Sequence, residues 1–127
     1  MFVFRTNMPG GRVKRFLIGQ HTQFNVEKQK RDYRSDFFGV EICQIKSEED
    51  IAAIMKDAER NKYEYGIHFP LRANQWRTRD PQYLSTEPTT RCESYRYMDT
   101  EIRYAAAWKP HYILIHYPKP VLIDDRV

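Results

Sequence analysis

Cysteine is scarce in this chain, one-sided charge is weak, and long apolar runs are missing. Only Cys43 and Cys92 occur in 127 residues, and they form no C-x-x-C pair. That spacing excludes a disulfide framework and points to a reducing, cytoplasmic setting. Within an apolar strand the Cys43 thiol reads as a small hydrophobe. No stretch approaches the ~20 apolar residues of a membrane span, and no early apolar core of roughly 7–15 residues reads as a secretory signal. The expectation is a soluble protein without a membrane partner. Lysine and arginine total 21 against 17 acids, a net charge of +4. This dispersed excess permits an anionic partner without requiring one and makes nucleic acid the less favoured choice. None of the H-E-x-x-H, G-x-G-x-x-G, P-loop or G-x-S-x-G patterns is present. At 127 residues the chain suits one domain but falls short of the ~250 residues of an eight-stranded α/β barrel.

What is present is a repeated ending. Gly66-Ile67-His68-Phe69-Pro70 and Leu114-Ile115-His116-Tyr117-Pro118 are apolar runs closed by histidine, an aromatic residue and proline. Proline donates no ladder hydrogen bond and favours extended geometry in the residue before it, so each run reads as a strand that stops abruptly. In parallel strands, the two imidazoles reach the same edge of the sheet, where α/β folds gather their chemistry.

The rest of the chain supports that arrangement. Residues 2–5 and 13–18 flank a Pro-Gly-Gly turn, predicting an N-terminal hairpin or an extra strand before the first core strand, which ends at Gly19-Gln20-His21. Residues 25–36 are polar and fit a short helix. Residues 37–45 form an apolar strand interrupted by Glu41. Ser47 then opens a helix with acids in its first turn, and Ile51, Ile54, Met55 and Ala58 mark its buried stripe. Residues 65–69 complete a β-α-β unit with parallel strands. A loop over 70–90 leads to a helix expected from the capping pattern Thr90-x-x-Glu93 as far as Trp108, and residues 112–117 form the last strand. The rhythm β-β-α-β-loop-α-β predicts an α/β fold of parallel β-α-β units in one domain over 1–127, with 1–12 as an N-terminal extension.

Strand alternation adds a third residue to the histidine pair. Side chains alternate between faces, so Glu41 falls opposite Val40 and Ile42, His68 opposite Ile67, and His116 opposite Ile115. Two imidazoles and a carboxylate on one face make a partial ligand set for zinc or manganese. A lone strand-end histidine is otherwise a hydrogen-bonded structural residue. Arg72 and Arg77 beside Trp76 offer bidentate anion contacts with a stacking surface, and Lys119 adds a cation beyond the second Pro. The bland alternative for that loop is a solvated polar surface.

Phe38-Gly39-Val40-Glu41-Ile42, then Ser-Glu-Glu-Asp-Ile-Ala-Ala-Ile, Gly-Ile-His-Phe-Pro-Leu and Ile-Leu-Ile-His-Tyr-Pro together resemble the xylose-isomerase-like TIM barrels. That superfamily holds sugar-phosphate isomerases and epimerases and the endonuclease IV type of abasic-site nuclease. The resemblance covers roughly residues 13–120, as the first four strands of such a barrel. It implies that His68 and His116 ligate a divalent metal, that Glu41 moves protons, and that the substrate is a small sugar or sugar phosphate. It also implies later strands that this sequence lacks, so the expectation is a fragment, or a half-barrel completed by a second copy or a second half-barrel. The competing expectations are a non-catalytic module that binds an anion or a protein, and an endonuclease IV-like abasic-site nuclease fragment.

Overall fold

The computed structural model describes residues 16–73 and 80–118. Strand β1 (Leu17–His21), helix α1 (Val26–Asp32), strand β2 (Gly39–Cys43), helix α2 (Glu48–Asn61), strand β3 (Glu64–His68), helix α3 (Pro88–Ala107) and strand β4 (Ile113–Leu114) follow in order. The four strands form one sheet in the order β1-β2-β3-β4, and every neighbouring pair is parallel. The predicted α/β class and parallel β-α-β units are therefore present. The expected hairpin or extra strand in residues 1–12 lies outside the described residues.

Each helix begins where the local chemistry supplies a cap. Asn25 Oδ1 accepts from the Lys28 amide at 2.8 Å. Ser47 Oγ accepts from the Asp50 amide at 3.1 Å, and three acids follow against the positive end of the α2 dipole. Helix α3 starts two residues before the predicted Thr90 box, because Glu87 is the cap and Pro88 occupies the first turn. Proline suits that turn, where an amide proton would find no helical acceptor. Helix α2 ends as Lys62 turns left-handed at φ 54°.

The two faces of the sheet differ sharply. Ile18, Val40, Ile42 and Ile67 point towards the helices and pack with Ile51, Ile54, Met55 and Ala58 of α2 and Ala105 of α3. Helix α1 joins the same side through Gln29, whose Oε1 accepts from Gln20 Nε2 at 3.1 Å. Gln20 is 1% exposed, and its own Oε1 accepts from the Asn25 amide. Strand β1 ends at His21, within the Gly19-Gln20-His21 ending expected from the sequence. The strand presents Gln20 to a polar partner and sets Gly19 on the opposite face.

That opposite face has no helix over it among the described residues. Leu17 and Leu114 are exposed along its two edges. Strand β4 is shorter than the predicted 112–117, since ladder pairing is confined to Ile113 and Leu114. Flanking bonds from the Ile67 amide to Tyr112 O and from the Phe69 amide to Leu114 O still tie it to β3. No helix among the described residues is long and apolar enough to cross a membrane.

Candidate functional site

Parallel register decides which side chains meet. Glu41 in β2 stands beside Gly66 in β3, and His68 beside Leu114 in β4. Partners in register share a face, so Glu41, Gly66, His68, Tyr112 and His116 all belong to the open face. His68 closes β3 and His116 follows β4, which carries both imidazoles to the C-terminal edge of the sheet.

The imidazoles touch. His68 Nε2 lies 2.7 Å from His116 Nε2, and the rings cross edge to face at 79°. On its other side, His68 Nδ1 is 3.0 Å from Glu41 Oε1. His116 Nδ1 lies 3.4 Å from Asp80 Oδ1. Each ring thus turns Nδ1 to a carboxylate and Nε2 to the other ring. Glu41 is itself held from behind, because the Tyr112 hydroxyl donates to Oε2 at 2.6 Å. Burial first, and then this bond to a carboxylate, push the Tyr112 phenol well above its usual range, so it remains a donor. The Tyr83 hydroxyl donates to the His116 carbonyl at 3.2 Å and fixes the loop beside it.

Hydrogen-bond counting limits what this chain of groups can be. Donating to both carboxylates uses a proton on each Nδ1, and a direct contact between the two Nε2 atoms needs a third. The pair is then one imidazole and one imidazolium. With two neutral rings, both Nε2 lone pairs instead converge on a common point. In that second state the two rings could hold a cation, and each has a carboxylate on its far nitrogen, the arrangement that commonly orients metal-bound histidines. Zinc-type ions sit roughly 2.0–2.1 Å from imidazole nitrogen, so seating one needs the rings to part by well under about 1 Å. Two imidazole nitrogens are the donors that a divalent ion would find here. Among the described residues, no group of three or more histidine, cysteine, aspartate or glutamate side chains is placed to hold a metal ion.

The other sequence candidates lie elsewhere. Arg72 is clamped in the helix layer: its guanidinium donates to Glu101 at 2.6 and 3.2 Å, lies 3.7 Å from Glu48, and stacks 3.9 Å above the Tyr104 ring. An anion at Arg72 would have to displace Glu101, which is only 6% exposed. The structure therefore does not join Arg72 to the histidine pair. Trp76, Arg77 and Lys119 lie outside the described residues. Glu41 does join the pair, with Oε1 facing His68 and Oε2 accepting from Tyr112.

Two members of the site went unread in the sequence. Tyr112 shares strand parity with His116, which was the available signal. Asp80 lies in the 70–90 loop, which has no periodicity to reveal it. Compared with known proteins, the chain matches no family model, no curated protein and no solved structure.

Proposed function

We propose that His68 and His116 hold a divalent cation at the C-terminal edge of the sheet, where a small sugar or sugar phosphate is isomerised or epimerised. One observation carries the cation: two Nε2 atoms converge at 2.7 Å while each Nδ1 faces a carboxylate. Imidazole donors favour zinc-like ions over manganese, which prefers oxygen. The substrate class rests on the resemblance of the strand endings to xylose-isomerase-like barrels. In such a site the cation supplies Lewis-acid polarisation of a carbonyl or hydroxyl oxygen. Glu41 and Asp80 hold the two rings in the ligand orientation. Half-buried on an open face, the pair leaves one side for substrate. Parallel sheets are ordinarily covered on both faces, so a second half-barrel or second copy of the chain is the proposed cover for the exposed edges.

A second reading has its own support. The Nε2 contact is a normal hydrogen-bond length, so the rings can satisfy each other in a binding module with structural histidines.

Titration with Zn²⁺, monitored calorimetrically, separates the two. The expected result is about one ion per site, lost in the His68→Ala/His116→Ala variant while the unfolding midpoint changes little. No binding by the unaltered chain overturns the cation and favours the structural pair. Carbon-13 NMR of aldoses, ketoses and their phosphates then tests the chemistry, and bound zinc without interconversion removes the isomerase part. Sedimentation of the same samples reads self-association, and a monomer at all concentrations rules out the second copy.

A further inference from the structure

Tyr112 reaches Glu41 across an intervening strand. Neighbouring strands lie about 4.8 Å apart, so the path from β4 to β2 spans roughly twice that distance and passes over β3. The residue on β3 beneath the path is Gly66, the register partner of Glu41. A Cβ placed on Gly66 would lie 2.1 Å from Tyr112 Cζ and 2.4 Å from Cε1, far inside van der Waals contact. The ring therefore lies in a notch made by the missing side chain. Any residue larger than glycine at 66 evicts it. Phe38 packs against the same ring, with centroids 6.3 Å apart.

We infer that Tyr112 is a positioning residue for the histidine pair, acting through Glu41, with Gly66 as the notch that admits it. The inference rests on the cation reading for its consequence, although not for its geometry. A carboxylate that accepts only from His68 can rotate and exchange that bond for water. Glu41 has instead a second, fixed donor on Oε2, which leaves Oε1 facing His68 Nδ1. A carboxylate held there stabilises the Nδ1–H tautomer, and that tautomer alone presents a bare Nε2 lone pair. The phenol bonds to Glu41 and acts on His68 through it. It determines which nitrogen of His68 is available.

Tyr112→Phe keeps the ring in the notch and removes only the hydroxyl, so it separates positioning from packing. Nitrogen-15 NMR of the metal-free protein reads the His68 tautomer directly, and Co²⁺ titration reads the seat. In the unaltered chain His68 is expected as the Nδ1–H form. In Tyr112→Phe the Nε2–H form appears, and Co²⁺ affinity falls roughly tenfold, the scale seen when groups behind a metal ligand are removed. Gly66→Ala, reaching the same bond by eviction of the ring, should give the same change of tautomer if it folds. An unchanged tautomer in Tyr112→Phe overturns the proposal, whatever happens to Co²⁺. A changed tautomer in a protein whose unaltered form binds no Co²⁺ sustains the positioning role and discards the cation.

Discussion

The two faces of one sheet are built from the same strands by opposite rules. Towards the helices, Val40, Ile42 and Ile67 are fully buried, and shape matching with α2 does the work. On the open face, at the alternate positions of the same strands, Gly39, Glu41, Gly66 and His68 replace them. Glycines there leave room rather than fill it. At Gly39 a Cβ would lie 1.7 Å from the Glu64 carbonyl oxygen, and at Gly66 it would strike the Tyr112 ring. The packed face supplies stability, and the open face carries hydrogen-bonded polar groups whose arrangement the packed face holds in place.

If that division is right, the largest stability loss belongs to the packed face. Ile42→Ala removes a side chain with no exposure and should cost ~2–5 kcal/mol, read as a lower urea midpoint at unchanged slope. A loss below about 1 kcal/mol, or one matched by the His68→Ala/His116→Ala variant, would break the comparison. A middle-sized effect should come from the clamp between the helices. Arg72→Ala deprives buried Glu101 of its donors. Removing one partner of a fully buried pair costs ~3–5 kcal/mol, but the Arg72 side chain is 35% exposed and solvent moderates the loss, so about 1–2 kcal/mol is expected in the same urea titration. An Arg72 variant of unchanged stability would reopen its reading as an anion contact.

The smallest effect is local and set by pH. Amides of Thr90 and Thr89 donate to the Glu87 carboxylate and hold its pKa down at about 2, against an ordinary value of 4.5. A lowered folded pKa means the capping contribution is fully present above pH 4.5 and disappears as pH falls through about 2. Hydrogen exchange in the first turn of α3 should therefore quicken across that window, while exchange in β2 and β3 does not. Equal acceleration in the strands would show that acid acts on the whole sheet instead.

Much of this division was legible in the residues. Period-two alternation placed Glu41, His68 and His116 on one face, and the Pro endings placed both imidazoles at strand ends. The i, i+3, i+4, i+7 stripe of α2 proved to be its buried set. Other features could not be read in this way. The start of α3 depends on competition between two caps, and a proline at the first turn decided it. The burial of Gln20 could not be read either, because its partners Gln29 and Asn25 lie outside β1. Asp80 joins the site through loop conformation, which leaves no periodic trace, and the engagement of Arg72 by Glu101 links residues 29 apart in sequence.

The parallel register of β2 has one more consequence. A slip of β2 by a single residue would turn Glu41 in among the isoleucines and push Val40 and Ile42 out into water. The ring pair would lose its carboxylate in the same event that wrecked the core. Correct threading of β2 and assembly of the polar edge are thus a single all-or-none outcome.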